Sequence, residues 1–333
     1  MTARSDPLKS INTGPKSMLS IVVINWNTWQ DTIECIESLK KSEYKDFTVL
    51  LIDNGSMNDS VKKMKEWLSK HGFGIKHLLF ENRSNLGFAG GNNIGIAYAA
   101  GRGYKYIMLL NNDTVIAPKA LGYLIDTMEH EPYLGVVTPQ IRHYGERDRI
   151  ANSGGRLTIF GHRHYYDCDQ LASECPDDSV QGITFITGCA LLARSEIFKK
   201  FGGLSDHFFF GEEDYDLSLK MKKHGIKMGC VRKAVVFHKI GATRKEAFAN
   251  MRSVFLHYFN RFVNFKHYYR RTYWYVWRFA SFLYIIPLVY FKYHYPVISI
   301  LKMARFLIKY SNACDVVSKE NIDRAFEELS QCY

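Results

Sequence analysis

The stretch YKYIMLLNNDTVIAP, residues 104–118, begins as an apolar run and then changes abruptly to polar side chains. The run has the length and composition of a strand that is buried on both faces of a sheet. Asn111, Asn112 and Asp113 follow it directly, and Pro118 ends the stretch. In a parallel sheet this ending lies at the carboxyl edge, where α/β proteins bind ligands. The same residues also suit an ordinary Asx turn before the proline.

Apolar runs and helical patterns alternate on both sides of this stretch. The runs LSIVVINW (19–26) and FTVLLIDNGS (47–56) are typical of buried strands, and each precedes residues with the spacing of an amphipathic helix. This alternation predicts an α/β fold, with a mostly parallel, Rossmann-like sheet and helices on both faces. We therefore expect Asn25 and Asp53 to lie beside residues 111–113 along one rim of the sheet.

Two acids at these strand ends have chemistry that suits ligand binding. Asp113 is a hard oxygen ligand, and Mg²⁺ or Mn²⁺ commonly binds one or two carboxylates together with substrate phosphates. Asp53 could accept hydrogen bonds from a ribose or a base, as acids do in dinucleotide folds. The alternative for Asp53 is a plain Asp-Asn-Gly turn.

The segment NRSNLGFAGGNNIGIA, residues 82–97, is rich in glycine and asparagine just before a predicted helix. Its glycines allow close approach of the backbone, and Asn85 and Asn93 offer donors to phosphate or sugar oxygens. It is neither a P-loop nor a dinucleotide fingerprint, because the required lysine and glycine spacing are missing. The alternative is a flexible surface loop.

An acidic cluster, FFFGEEDYDL at residues 208–217, opens another predicted helix. Mutual repulsion raises the pKa of some of these acids unless cations lie close by, and one acid could then deprotonate a hydroxyl. Acids also suit the first turn of any helix. His238 follows a later strand and could contact a metal or a phosphate, or be purely structural.

The composition describes a globular chain of 333 residues with a net charge of +11. This excess favours an anionic partner, although a solvated basic surface is the simpler alternative. The seven cysteines are scattered without a Cys-x-x-Cys pair, which suits a reducing compartment. Residues 1–17 contain no apolar core of a secretory signal and are expected to form a flexible tail.

Aromatic and basic residues dominate the C-terminal region, which we predict to run from residue 251 to 333 as helices. Residues 275–291 approach spanning length but carry Arg278 and Pro287, so helices lying at an anionic membrane surface are favoured. Packing on the preceding α/β domain, oligomerisation and a single transmembrane helix are the alternatives. Nucleic acid is not expected as a partner, because no RNA-binding fold signature accompanies the aromatic residues.

Taken together, several stretches resemble the family 2 glycosyltransferases of the GT-A fold. Within that family the chain is most similar to the rhamnosyltransferase-like enzymes of bacterial surface-polysaccharide synthesis. The resemblance covers about residues 18–245 and places a GT-A domain at residues 18–250. The stretches that carry it, in chain order, are SIVVINWN, VLLIDNGS, ENRSNLGFAGGNNIGI, YIMLLNNDTVI, ITGCALLARSEIFKKFGGLSDHFFFGEEDYDLSLKMKKHG and VVFHKIGAT.

The resemblance implies a nucleotide-diphosphate-sugar donor and a divalent metal, Mn²⁺ or Mg²⁺. Asp113 occupies the last position of the family's Asp-x-Asp motif, whose first acid is replaced here by Asn111, so Asp113 is the implied metal ligand. His238 matches a family position near the metal and the diphosphate. The residues implied to bind the donor are Asn25, Asp53, Asn54, Asn85, Gly87, Asn93, Asn111 and Asn112.

The same resemblance assigns the acceptor side. Glu213 and Asp214 match the family's Glu-Asp motif, which implies that Asp214 is the general base, and Thr187 and Gly188 would lie near the acceptor sugar. The implied enzyme is inverting, with dTDP-L-rhamnose as the expected donor and a glycan or lipid-diphosphate-linked saccharide as acceptor. Its expected location is the cytoplasmic face of the cell membrane, as a peripheral protein.

Three other functions compete with this expectation. The same fold could use a UDP-hexose or UDP-galactofuranose, or the chain could be a non-catalytic scaffold of a membrane-bound assembly. A nucleotidyltransferase would normally carry a glycine-rich basic loop after the first strand, and INWNTWQDT has neither glycine nor lysine there.

Overall fold

A computed structural model describes residues 17–72, 74–158, 161–175, 180–239 and 251–330. The tail predicted for residues 1–17 lies outside these ranges except for Ser17, and so does the segment before the predicted boundary at residue 251. The strands are β1 (Leu19–Asn25), β2 (Phe47–Asp53), β3 (Lys76–Glu81), β4 (Tyr106–Asn111), β5 (Thr114–Ile116), β6 (Leu134–His143), β7 (Ile150–Asn152), β8 (Gly155–Leu157), β9 (Arg163–Tyr165), β10 (Val180–Ile183), β11 (Ala190–Arg194) and β12 (Lys227–His238). The helices are α1 (Trp29–Lys40), α2 (Ser60–His71), α3 (Gly87–Arg102), α4 (Ala120–His130), α5 (Ser195–Phe201), α6 (Glu213–Lys223), α7 (Met251–Tyr268), α8 (Arg271–Tyr293), α9 (Val297–Ala313) and α10 (Lys319–Ser330).

A ten-stranded sheet forms the centre of the molecule, in the order β10-β12-β6-β11-β4-β1-β2-β3, with β5 beside β12 and β7 beside β6. β1 pairs in parallel with both β2 and β4, and β2 pairs in parallel with β3. β11 runs antiparallel to its neighbours β4 and β6, while β12 is parallel to β6. The mixed α/β fold with a mostly parallel sheet is therefore confirmed.

The pairing register brings the predicted strand ends together. Asn25 is the partner of Asp53 across β1 and β2, and Ile24 is the partner of Asn111 across β1 and β4. Because parallel strands end on the same side, these polar residues share one rim, as the sequence predicted. The strands themselves are almost wholly buried, which fixes the register because a slip would expose apolar side chains.

The glycines of α3 hold that helix close to the sheet. A methyl group at Gly95 would lie 2.5 Å from Val22 Cγ1, and one at Gly91 would lie 2.2 Å from Ile24 Cδ1. At such distances the side chains of Val22 and Ile24 would have to shift, so glycine suits this close approach. The close backbone approach predicted for these glycines is made to β1 at these two positions.

α7 packs directly on the α/β part of the chain. Phe259 and Phe262 of this helix share an apolar cluster with Phe185 and Tyr215, which belong to the predicted catalytic domain. Fully burying a phenylalanine contributes roughly 1.5–3 kcal/mol, so this contact is a substantial part of the core. Within the described residues, the predicted domains 18–250 and 251–333 are joined by a common core.

α8 is long and apolar enough to cross a membrane by length and composition, with a mean hydropathy of 1.3 over its best window and 28% of that window buried. One such helix is weak evidence for a span. Its Arg278 is buried and donates to Ser311 Oγ (3.0 Å) and Asn312 Oδ1 (2.7 Å) of α9. This pairing ties α8 to α9 through a charge that lipid would not accommodate.

Candidate active site

A continuous hydrogen-bond network runs along the rim of the sheet. Asn112 Nδ2 donates to Thr28 Oγ1 (2.7 Å) and to Thr32 Oγ1 (2.9 Å). Thr32 in turn donates to Asn25 Oδ1 (2.8 Å), and Asn25 Nδ2 donates to Asp53 Oδ1 (2.8 Å). The network connects the turn after β4 with α1, β1 and β2, so the three strand ends form one rigid polar surface.

Asp53 is buried and already satisfied. Besides the bond from Asn25, it accepts hydrogen bonds from the Ser56 backbone N (3.0 Å) and from Ser56 Oγ (2.6 Å), and it is 1% exposed. These bonds close the Asp-Asn-Gly turn that the sequence offered as the alternative for Asp53. Direct contact between Asp53 and a nucleoside stays a prediction.

Asn54 and Asn85 fold the loop that leads into α3, and Asn93 ties α3 to the segment after α5. Asn54 Nδ2 donates to Asn85 Oδ1 (3.0 Å) and to the Gly87 carbonyl (3.0 Å), and Asn85 Oδ1 also accepts from the Gly87 N–H (2.8 Å). Asn93 bonds twice to Leu204, from Nδ2 to the carbonyl (2.9 Å) and at Oδ1 from the N–H (2.8 Å). The side-chain amides of these asparagines therefore bond to the protein backbone, and their contact with a nucleotide-sugar donor stays a prediction.

Gly87 connects this loop to the acidic segment. Its φ of +76° is a left-handed conformation, and a methyl group on it would lie 2.4 Å from the carbonyl oxygen of Phe209. The next residue, Phe88, donates its N–H to that carbonyl (3.3 Å). The start of α3 is thus fixed against the segment that precedes the acidic cluster.

Asp113 and His238 form a pair at the end of the sheet. His238 Nε2 lies 3.1 Å from both carboxylate oxygens of Asp113, and the pairing of β5 with β12 sets Thr114 opposite His238. Burial alone would lower the pKa of His238, but the neighbouring Cys189 and Asp113 outweigh it and raise the pKa. The two residues predicted to hold a metal are therefore adjacent.

The donor set of this pair fits a divalent cation that is completed by substrate. Among the described residues, no group of three or more His, Cys, Asp or Glu side chains could hold a metal ion. One carboxylate and one imidazole are available, and Mg²⁺ or Mn²⁺ ordinarily takes its remaining ligands from phosphates and water. A bound cation would compete with the proton of His238, because a ligating imidazole is neutral.

Asp214 lies at the start of α6 with both carboxylate oxygens engaged. Oδ1 accepts from Arg163 (3.1 Å) and Oδ2 accepts from the Gly188 N–H (3.3 Å), and the side chain is 22% exposed. Its neighbour Glu213 is buried, and one of its oxygens accepts from the Gly211 N–H (2.7 Å). Burial raises the pKa of Glu213 to about 7.

The other two acids of the cluster have opposite environments. Glu212 is fully buried and receives two hydrogen bonds from Arg261 (both 2.8 Å). Burial would raise the pKa of Glu212, but the charges of Arg261 and Arg163 lower it overall. Burial raises the pKa of Asp216, which accepts from the Tyr268 hydroxyl (2.8 Å). The cations that the sequence reasoning left open are thus present.

The loop Thr187–Cys189 joins the two halves of the site. Gly188 bonds Asp214, as described, and a methyl group on Gly188 would lie 3.5 Å from both Asp214 Cβ and Phe88 Cε1. The adjacent Cys189 contacts His238 and accepts at its carbonyl from the Asn111 N–H (2.8 Å). The loop therefore bonds Asp214 at Gly188 and contacts His238, the partner of Asp113, at Cys189, and the family resemblance implied that Thr187 and Gly188 lie near the acceptor.

The sequence reasoning missed three residues of this region. Trp26 is 49% exposed directly after Asn25, and an exposed tryptophan at a strand-end rim is a signal that could have been used. Arg163 and Arg261 carried no usable signal, because each lies 49 residues from the acid that it contacts and outside any recognisable motif.

The fold and the rim together define an α/β protein that has polar side chains along the carboxyl ends of its strands and an acidic cluster at the start of α6. The profile of the family described as "Glycosyl transferase family 2" matches residues 20–202, which is more than half of the chain. The chain therefore belongs to glycosyl transferase family 2.

Curated relatives match a shorter part of the chain than the family profile does. The poly-beta-1,6-N-acetyl-D-glucosamine synthase of Staphylococcus epidermidis is 35% identical over 118 residues, which cover 35% of this chain and 26% of that protein. The enzyme of the same name from Staphylococcus aureus (strain MSSA476) is 29% identical over 119 residues, with the same coverage. The chain thus matches about a quarter of the length of these relatives.

Solved structures share the fold at low identity. The mannosyltransferase PcManGT from Pyrobaculum calidifontis, in complex with GDP-Man and Mn²⁺, has a TM-score of 0.56 at 13% identity, covering 97% of this chain and 84% of that one. S. aureus TarS 1-349 in complex with UDP-GlcNAc has a TM-score of 0.51 at 11% identity, covering 74% and 66%. The predicted GT-A fold is confirmed by these neighbours.

Proposed function

We propose that the chain is an inverting, metal-dependent glycosyltransferase of cell-surface polysaccharide synthesis, which moves a sugar from a nucleotide-diphosphate donor to a glycan or lipid-linked saccharide. The observation that carries the proposal is that one short loop, Thr187–Cys189, bonds Asp214 at Gly188 and contacts His238, the partner of Asp113, at Cys189. A cation-binding pair and a base that contact the same loop suit a reaction in which a phosphate leaves and a hydroxyl attacks.

The residues proposed to bind the leaving diphosphate lie at the rim of the sheet. Asp113 and His238 would hold the divalent cation, whose role when bound is to stabilise the charge that develops on the departing diphosphate. Trp26 offers its exposed ring as a stacking surface for the nucleobase, beside the network of Asn25 and Asp53. The rigid network orients that surface at little entropic cost on binding.

The residue proposed to activate the attacking hydroxyl lies at the start of α6. The oxygen of the acceptor hydroxyl bonds to the anomeric carbon, and Asp214 accepts the proton that this hydroxyl loses. On the opposite face of the same carbon, the bond to the diphosphate oxygen breaks. The carboxylate is held by Arg163 and the Gly188 N–H, so its orientation is fixed before the acceptor arrives. A positioned base of this kind contributes about 10²–10⁴ in rate.

The donor sugar is the finer part of the proposal. Resemblance to the rhamnosyltransferase-like subgroup favours dTDP-L-rhamnose. The names of the curated relatives and the UDP-GlcNAc complex of TarS favour a UDP-hexose such as UDP-GlcNAc. We propose both dTDP-L-rhamnose and a UDP-hexose as donors, with UDP-galactofuranose as a third, because each presents the same diphosphate to the rim.

We further propose a peripheral location on the cytoplasmic face of the cell membrane. No Asp or Glu occurs between Glu246 and Asp315, whereas Lys and Arg recur throughout that segment. Large apolar side chains on α8 and α9 are exposed, among them Phe279 (73%), Leu283 (71%) and Ile298 (66%). Exposed apolar residues beside acid-free basic ones suit an anionic lipid surface, where a lipid-linked acceptor would also lie.

A donor panel with Mn²⁺ tests this function. The true nucleotide sugar at about 100 times its dissociation constant is expected to stabilise the chain by roughly 2.7 kcal/mol in thermal unfolding. Asp214→Asn should keep this stabilisation while transfer falls by at least about a hundredfold. Asp206→Asn, at an exposed acid of the same segment, is the matched control and should transfer at the wild-type rate.

Two outcomes would contradict the proposal. A wild-type chain that no nucleotide sugar stabilises, with or without Mn²⁺, would favour the scaffold alternative. Near-normal transfer by Asp214→Asn would remove Asp214 from the role of base while leaving the donor site intact.

A further inference from the structure

Four charged side chains form a row that ends at the proposed base; Arg261 and Glu212 are buried, and Arg163 and Asp214 are partly exposed. Arg261 donates to both oxygens of Glu212 (2.8 Å each), and Glu212 Oε1 also accepts from Arg163 (3.2 Å). Arg163 then donates to Asp214 Oδ1 (3.1 Å). The row runs cation, anion, cation, anion, so its charges cancel and each group has a partner of opposite sign.

Aromatic rings fix the two arginines of this row. The guanidinium of Arg261 lies 3.7 Å from the ring centre of Tyr215, which is fully buried and adjacent to Asp214. Arg163 lies 5.5 Å from the same ring and 5.2 Å from that of Phe185. Because a stacked, planar guanidinium has few alternative orientations, its hydrogen-bond directions are set in advance.

We propose that Arg163 and Arg261 are positioning residues for the base, with Arg163 orienting Asp214 directly and Arg261 orienting Arg163 through Glu212. The proposal rests on the proposed function, because it assigns a role relative to the base. It also makes α7, a helix of the predicted membrane-associated region, a necessary part of the active site.

Arg163 pairs with both Glu212 and Asp214, and this sharing affects how well Asp214 can act as a base. A base must be ionised to accept a proton, and a nearby cation keeps it so. A cation paired with Asp214 alone would hold the carboxylate too firmly and weaken it as a base. Glu212 draws on the same guanidinium and moderates this effect, and Arg261 supplies the charge that allows Glu212 to be buried. Among the described residues, the charged groups close to Asp214 and this row are Arg163, Arg261, Glu212 and Glu213, and Tyr165, Tyr215 and His257 also act on Arg163 or Glu212.

Single substitutions give the first test. In Arg163→Gln and Arg261→Gln, we expect kcat for transfer to fall at least tenfold while the dissociation constant of the donor stays within about twofold. Arg163→Gln should also move the acidic limb of the kcat–pH profile to higher pH, since the carboxylate loses its cation. Arg232→Gln is the control, because it breaks a comparable ion pair with Asp167 (2.9 Å) away from the acidic cluster.

A paired apolar replacement separates positioning from stability. Removing one partner of a buried ion pair leaves an uncompensated charge, whereas replacing both with apolar residues is often neutral for folding. Glu212→Met with Arg261→Met should therefore recover the Tm lost in Arg261→Gln while kcat stays low. Its acidic limb should move to lower pH, opposite to Arg163→Gln, because Arg163 then serves Asp214 alone.

The possible results distinguish a wrong positioning role from a wrong proposed function. If the paired replacement recovers kcat along with Tm, or if both single variants keep the wild-type kcat and pH profile, the positioning role is wrong while the transferase function stands. If the wild-type chain neither binds nor transfers any sugar nucleotide, the proposed function is wrong, and the positioning role with it.

Discussion

Glu213 differs from its neighbours because, among the described residues, no cationic side chain bonds to its buried carboxyl. Glu212 pairs with two arginines and Asp214 with one, but Glu213 accepts only from backbone N–H groups, that of Gly211 among them, and its Oε1 is buried without a hydrogen-bond partner. Burial consequently raises its pKa to about 7, so near neutral pH this group is close to half protonated. A neutral acid beside the base lessens repulsion against an ionised Asp214.

The raised pKa makes stability depend on pH with a definite sign. The folded state binds the Glu213 proton more tightly than the unfolded state does, where the pKa is near the ordinary 4.5. Its contribution to stability is therefore complete below about pH 4.5 and is lost as the pH rises to about 7. Glu213→Gln keeps the neutral shape at every pH and should be more stable than wild type at pH 8, by up to about 3 kcal/mol.

Chemical denaturation between pH 4.5 and 8 measures this difference. The exposed Glu37→Gln is the control and should show no such pH dependence. An advantage of Glu213→Gln that is the same at all pH values would mean that the buried carboxyl does not titrate in this window.

At this scale, the sequence predicted the chemically reactive groups but missed the groups that hold them. Asp113 and Asp214 could be found because each follows a strand end or opens a helix within a recognisable motif. Arg163 could not, since its short strand has no periodic pattern and its partners lie 49 and 51 residues away. Contacts at such separations depend on tertiary packing, which a local pattern does not encode.

At the scale of elements, α3 shows how one residue type serves two purposes. Gly87 occupies a left-handed turn against the Phe209 carbonyl, whereas Gly91 and Gly95 allow the helix to lie on β1. Gly101 has open space around its Cα and an ordinary helical backbone. Only the first position links the donor-side loop to the acidic segment.

The two ends of α3 should therefore respond oppositely to alanine. Gly87→Ala must either shift the Phe209 backbone or leave the left-handed conformation, and we expect a loss of about 1–3 kcal/mol together with reduced transfer. Gly101→Ala removes a helix-weakening glycine without a clash and should add about 0.4–1 kcal/mol. Urea denaturation of both variants checks this, and a Gly87→Ala chain as stable as wild type would contradict the role of the turn.

The order of elements up to α4 was predictable because buried strands and amphipathic helices have distinct periods. The region 136–211 was predicted less well, since its strands β7, β8 and β9 have three residues each. Strands so short carry no measurable alternation. The loop Thr187–Cys189 within that region was assigned only through the family resemblance, although it joins the two halves of the site.

At the scale of the whole molecule, one helix links the proposed chemistry to the proposed membrane surface. α7 contributes Arg261 to the acidic cluster and Phe259 to the shared core, and α8 and α9 pack on α7 with their other faces exposed. The sequence indicated the membrane through composition alone. It gave no reason to place the first helix of that region inside the active site, because Arg261 looks like any basic residue of an interfacial helix.

The exposed face of α8 gives a direct test of membrane binding. Phe279 and Leu283 lie one turn apart, are 73% and 71% exposed, and each would contribute about 1.5–3 kcal/mol if lipid buried it fully. Phe279→Ser with Leu283→Ser should therefore weaken binding to vesicles containing anionic lipid by at least tenfold. Tyr133→Ser, at an exposed aromatic residue of the α/β part, should bind as wild type does.

Salt distinguishes the interfacial arrangement from a membrane span. An interfacial face held partly by basic residues should lose affinity for anionic vesicles as the salt concentration rises, and should bind neutral vesicles more weakly. A spanning α8 would resist extraction by salt, and the serine variant would then fail to insert rather than bind weakly. The buried Arg278, paired with α9, favours the first result, because a span would carry this charge into the hydrocarbon. Binding that is independent of both salt and lipid charge would contradict the interfacial arrangement.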